Sequence, residues 1–143
     1  MPDSTEQTLA EQEQITNRFA NLIGLRFDHV EEGKCKCSLE VTEDHFHPGG
    51  VVHGGIAFSL ADSSMAMALI STLEPGYGSS TIELKVSFLE AVREGIMVSE
   101  AHVVRRGKRI AFMEARITRD GQLVATATAT FAIVQMRQVP KKV

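Results

Sequence analysis

The run HGGIAFSLADSSMAMAL, His53 to Leu69, sets the reading of the whole chain. It has the length of a helix, and Ile56, Phe58, Leu60, Met65, Met67 and Leu69 spread around the circumference, with Ile70 just beyond. A helix apolar on nearly every side is a buried one, so a sheet or further helices must enclose it. Asp62 then lies where an ionised carboxylate is costly unless it finds partners such as Ser59 or Ser63. A carboxylate in such surroundings is a candidate base or nucleophile. At the other end, the first-turn N–H groups have no intrahelical acceptor, and the helix dipole adds partial positive charge. Gly54 and Gly55 let another group approach that backbone closely, which suits an oxyanion.

Spacing adds a constraint. Gly54 and Asp62 are eight residues apart, which is about 12 Å along a helix axis. A reacting carbonyl must lie within bonding reach of both its hydrogen-bond donor and the group that drives attack. One helix cannot supply both. If both act on one substrate, two copies of the helix must meet, and each site straddles a dimer interface.

The segments downstream alternate with period two. Residues 79–89 place Ile82, Leu84, Val86 and Phe88 on one face and Thr81, Glu83, Lys85 and Ser87 on the other. Strands are expected at 96–104, 110–118 and 123–134, separated by turns at Glu94-Gly95, Arg106-Gly107-Lys108 and Asp120-Gly121. Short turns between successive strands imply antiparallel pairing. In the last strand the small residues Ala125, Ala127 and Ala129 share a face with Leu123, Phe131 and Ile133, leaving room for a close neighbour. Two earlier strands, 25–31 and 34–41, turn around Gly33, and Cys35 and Cys37 point to one face with Leu39 and Val41. The cysteines read as packing, since a two-cysteine metal site needs further ligands. Two strands, one buried helix and four antiparallel strands make an α+β pattern.

Ahead of these, Ser4-Thr5-Glu6-Gln7 fits a capping box opening a polar helix to about Ile23, with Leu9, Ile15, Phe19, Leu22 and Ile23 as sparse apolar positions. It is expected to pack over the sheet or the pocket mouth. The loop 42–51 carries Asp44, His45 and His47 just before the helix. His47 is a candidate to orient water, bind a carbonyl or supply a proton, whereas His45 reads as a surface turn residue. His53 reads as fixing the loop into the helix, with a general base as the alternative.

At 143 residues the chain suits a single domain (1–143) with an N-terminal helical segment (1–23) and a loose basic tail (135–143). Its net charge of -3 predicts no broad affinity for nucleic acid or membranes. No apolar run reaches transmembrane length, and the acidic N-terminus is unlike a signal or transit peptide, so a cytoplasmic location is expected. Nucleophile-elbow, zinc, phosphate-loop and dinucleotide signatures are absent from the sequence.

With these residues in view, His53-Gly54-Gly55 followed by Leu60-Ala61-Asp62 resembles the motif of hotdog-fold acyl-CoA thioesterases of the phenylacetate-degradation type (PaaI-like). The likeness runs from about Leu25 to Val134. It implies an antiparallel sheet wrapped around a long central helix. It also implies Asp62 as base or nucleophile, the Gly54 N–H as donor to the thioester carbonyl, and sites shared between subunits of a homodimer or dimer of dimers. Many relatives place an Asn six residues before the motif's His; here that position is His47. Some relatives put a water-assisting hydroxyl where Thr81 lies. The substrate would be an aromatic or medium-chain acyl-CoA, with no metal and no cofactor beyond the coenzyme A of the substrate. Gly55, Phe58 and Met65 are candidates to contact it, and Arg106 and Lys108, in a cluster with Arg105 and Arg109, are candidates for its phosphates. The alternatives are a hotdog hydratase or dehydratase using His47 and Asp62, and a non-catalytic acyl-CoA-binding module.

Overall fold

The computed structural model describes residues 7–137. The proposed box at Ser4-Thr5-Glu6 and the tail beyond Arg137 lie outside the described residues.

Helix α3 (Gly54–Ile70) is the element the others surround. Strands β1 (Leu25–Glu31) and β2 (Lys34–Glu40) precede it. After it come β3 (Tyr77–Phe88), β4 (Ile96–Arg106), β5 (Ile110–Arg119) and β6 (Gln122–Gln135). The six form one antiparallel sheet in the order β1-β2-β4-β5-β6-β3. This is the hotdog architecture expected from the sequence. α3 lies across the sheet, and Leu60, Ala61, Ser64, Met65, Ala68 and Leu69 on its inner side are fully buried.

Opposite them the sheet offers small side chains. Ala101, Ala115, Ala125, Ala127 and Ala129 are all buried, so the helix can sit close to the strands. Midway along, the Ser64 and Ser99 hydroxyls hydrogen-bond at 2.8 Å, so both buried oxygens have a partner. At the far end the Ser71 hydroxyl donates to the Glu31 carbonyl at 2.6 Å and accepts from the Gly33 N–H at 2.9 Å, fixing the helix to the β1–β2 turn. Cys35 and Cys37 are buried in this core, with their sulfurs 3.7 Å apart. The hydrogen bond between them and burial push the Cys37 thiol well up from its usual range, so it stays protonated and serves as packing.

The amino-terminal segment differs from the single helix expected. α1 (Leu9–Thr16) starts at a Thr8–Glu11 capping box, and the chain breaks at Asn17 before α2 (Arg18–Ile23). Asn17 adopts extended backbone and its side chain accepts from the Ala20 N–H, so it opens a second helix instead of continuing the first. The expected apolar face is also not the buried one. Ile15, Phe19 and Leu22 are exposed, Leu22 at 82%, while Ala10 and Ala20 pack inward.

Gln14 has a specific task. Its amide donates to the Leu25 carbonyl at 3.0 Å and accepts from the Phe27 N–H at 2.8 Å, so it occupies backbone groups of the outer edge of β1 as another strand would. Gln14→Ala is expected to cost about 1 to 2 kcal/mol, the range for losing such hydrogen bonds where water can partly replace them. The shift in denaturant midpoint measures it.

Candidate active site

The loop 41–53 delivers the chain to the start of α3. A short 3₁₀ turn, Glu43–His45, folds His45 inward. There its Nδ1 accepts from the Thr42 N–H at 2.9 Å and its Nε2 lies 2.6 Å from the Ile23 carbonyl. His45 is therefore a buried structural residue, not the surface turn residue expected. The His45 carbonyl in turn accepts from the His53 N–H at 2.8 Å. Asp44 is exposed.

His53 is the N-cap of α3, with Nδ1 accepting from the Gly55 N–H at 2.8 Å. That bond takes the Gly55 amide away from any substrate and leaves the Gly54 N–H without an acceptor among the described residues. A Cβ on Gly54 would meet the Phe88 ring at 3.1 Å, so a side chain there must push that ring aside.

A cavity of about 340 Å³ opens at this helix end. Gly54, His47 and His53 line it together with Phe88, Leu89 and Val52, and its buried floor includes Ala57, Met97 and Ala125. It joins one backbone donor at a helix N-terminus to mostly apolar walls, with the exposed Glu90 also in its lining, which suits a polarised carbonyl carrying an apolar group. Phe88, Leu89 and Met97 were missed by the sequence reading. Only the strand-end position of Phe88 hinted at it, because lining a cavity depends on where strand ends meet.

Asp62 is on the same helix but outside this cavity. It is half-buried, not enclosed, and its Oδ1 accepts from the Thr81 hydroxyl at 2.7 Å. Ser59, the partner suggested by sequence, donates instead to the Gly55 carbonyl. The enclosure expected for α3 is thus incomplete in one chain. Gly55, Ser59, Asp62 and Ala66, spaced at helical intervals, form a stripe of short side chains that the sheet does not cover. α3 is one continuous helix from Gly54 to Ile70, so the separation of about 12 Å between Gly54 and Asp62 holds.

Other candidates fall elsewhere. Met65 is fully buried against the sheet and does not line the Gly54 cavity. Phe58 is 42% exposed on the helix surface. The basic hairpin between β4 and β5 stands at the opposite end of the sheet from Gly54. Ile110 pairs with Ala132, which pairs with Ser80, whereas Phe88 pairs with Ala125 eight residues further along β3. A shallow groove there is lined by Arg105, Lys108 and Arg109, but not by Arg106.

Known proteins resemble this chain in sequence and fold. The thioesterase superfamily model matches residues 49–126, which contain both Gly54 and Asp62. Human acyl-coenzyme A thioesterase 13 is 32% identical over 101 residues, covering 68% of this chain and 71% of that protein. A conserved protein of Pseudomonas aeruginosa of known structure is 32% identical, with a TM-score of 0.82 over 86% of this chain and 98% of that one. A phenylacetic acid degradation-related protein of Ralstonia eutropha is 33% identical, with a TM-score of 0.74 over 80% and 88%. The fold and these likenesses define a hotdog-fold thioester hydrolase. The chain belongs to the thioesterase superfamily, within its PaaI-like branch.

Proposed function

We propose that the protein hydrolyses acyl-CoA thioesters at sites built from two copies of the chain. The observation that carries this reading is the separation of the free Gly54 N–H from the Asp62 carboxylate on one rigid helix. The Gly54 N–H and the helix dipole stabilise negative charge on the thioester oxygen. Asp62 of the facing subunit, its Oδ1 held by Thr81, activates water or attacks the carbonyl carbon. The C–S bond then breaks and the coenzyme A thiolate leaves without strong acid catalysis. In the first route Asp62 takes the water's proton and the free acid forms directly; in the second water hydrolyses the acyl–Asp62 anhydride, and neither route calls for a metal or cofactor.

The two sheet edges differ in a way that supports such pairing. The β1 edge is occupied by Gln14, while β3 is a 12-residue edge strand carrying Ile82 at 55% and Phe88 at 59% exposure. A bulge at Ile82, between Thr81 and Glu83, interrupts the alternation expected there. A long edge of this kind is a template for another strand. Antiparallel pairing of two β3 strands, centred on Lys85, sets the bulged Thr81–Ile82 of one copy opposite Phe88 of the other. Asp62 then meets the partner's Gly54, and the short-chain stripes of the two α3 helices face each other.

The same operation brings the basic hairpin of one subunit to the Gly54 end of the other. Arg105, Arg106, Lys108 and Arg109 then supply positive charge for the coenzyme A phosphates. Replacing both Arg106 and Lys108 by Gln is expected to raise KM for acyl-CoA several-fold with kcat little changed, read from initial rates at low salt. The Gly54 cavity, with Phe88, Leu89 and Met97, suits an aromatic or medium-chain acyl group. The free thiols of Cys35 and Cys37 accord with a cytoplasmic site of action. No helix among the described residues is long and apolar enough to cross a membrane.

Thiol release from a panel of aromatic and straight-chain acyl-CoAs tests the reading. Rapid release from at least one class is expected. No release by folded, dimeric protein would overturn it.

A further inference from the structure

We infer, resting on the thioesterase reading, that Glu90 makes the Gly54 cavity selective by charge: it refuses acyl chains that end in a carboxylate and admits uncharged ones. Glu90 lies two residues past the end of β3 and lines that cavity. Its short segment is tied at both ends. The Leu89 and Glu90 N–H groups donate to the Val124 carbonyl on β6, at 2.8 and 3.2 Å, and the Val92 carbonyl accepts from the Val52 N–H at 2.8 Å. Val52, Val92 and Val124 line the same cavity, so its own walls hold the Glu90 backbone in place. The carboxylate takes part in no ion pair among the described residues.

Nothing else on the lining offsets that charge. The other polar side chains there are those of His47 and His53. Their Nδ1 atoms accept from the Gly49 and Gly55 N–H groups, each at 2.8 Å. A protonated imidazole carries a hydrogen on both nitrogens and cannot accept, so these hydrogen bonds fit neutral rings. The positive end of the site, the Gly54 N–H with the helix dipole, is engaged by the thioester oxygen in the proposed reaction. An acyl chain with a terminal carboxylate therefore has two resting places, both unfavourable. On the floor of Ala57, Met97 and Ala125 the charge loses water without gaining a partner. At the rim it meets the like charge of Glu90, a repulsive element that turns one ligand away and leaves an uncharged one unaffected. Glu90 is exposed, so water and salt screen this repulsion and its effect is moderate.

Pentanoyl-CoA and glutaryl-CoA, which differ by a carboxylate in place of the terminal methyl, form a matched pair. Contacts to coenzyme A are common to both and cancel in the ratio of their kcat/KM values. Wild type is expected to favour pentanoyl-CoA by about 100-fold or more, from the apolar floor and the repulsion together. In Glu90→Gln the preference should fall about tenfold, and in Glu90→Lys further, each through KM for glutaryl-CoA. Raising salt to about 0.5 M should shrink the preference in wild type and not in Glu90→Gln. Dissociation constants of the matching ketone analogues, with a methylene between sulfur and carbonyl, give the same comparison without turnover. A preference that both substitutions leave unchanged, or a wild type that hydrolyses the two esters alike, would overturn the inference. Turnover of neither ester, with the analogue preference still shifted by Glu90→Gln, would strike the thioesterase reading and leave the charge selection standing.

Discussion

Asp62→Asn is expected to fold normally and to lose on the order of 10²- to 10⁴-fold in kcat, the span for removal of a positioned base. Asparagine has the same shape, and its Oδ1 can still accept from the Thr81 hydroxyl that Asp62 holds at 2.7 Å. The helix-to-strand contact therefore survives. What is lost is the negative charge that activates water or forms the bond to the carbonyl carbon, and no other carboxylate lies on α3 to replace it. Thiol-release rates measure the effect, and an unchanged denaturant midpoint shows that the fold is intact. Full activity in this variant would end the proposed mechanism.

Two inactive variants are expected to restore each other when mixed. Gly54→Val places a branched side chain where even a Cβ meets the Phe88 ring at 3.1 Å. Phe88 is more than half exposed, so its ring can swing aside and the fold is kept, but the approach to the Gly54 N–H is blocked. In a heterodimer of Gly54→Val with Asp62→Asn, one site carries both lesions. The other combines an intact Gly54 with an intact Asp62. Random pairing of equal amounts gives half heterodimers, each with one working site of two, so about a quarter of wild-type activity should return after co-refolding. Sites contained in single chains would give no recovery at all, because every chain carries one lesion. The comparison decides directly whether the separation along α3 is bridged by a second copy.

Much of this architecture was legible in the residues. The alternation in 79–89 and 123–134 located β3 and β6, and the Asp-Gly and Glu-Gly pairs located turns, because side-chain period and turn chemistry are local properties. Burial of the alanine face of β6 followed from the same pattern. The misreadings involve residues whose surroundings come from distant segments. His45 looked like a loop histidine, but Ile23, 22 residues earlier, supplies its partner. Met65 looked available to a ligand, because an all-round apolar helix does not reveal which side meets the sheet. In the N-terminal segment the large apolar residues suggested a buried face. Ala10 and Ala20 took that role, in a segment that Gln14 ties to the β1 backbone at Leu25 and Phe27.

Residue order alone specifies the helix, its Gly54–Asp62 separation and the antiparallel strands, since spacing along a regular element is fixed by its rise per residue. It therefore also determined that one helix cannot bring these two groups to a single carbonyl. Which amides remain free, which imidazole nitrogens are engaged and which sheet edge stays open among the described residues emerge only in the folded chain. Those depend on hydrogen bonds and packing between segments far apart in the chain, whose geometry no local pattern encodes.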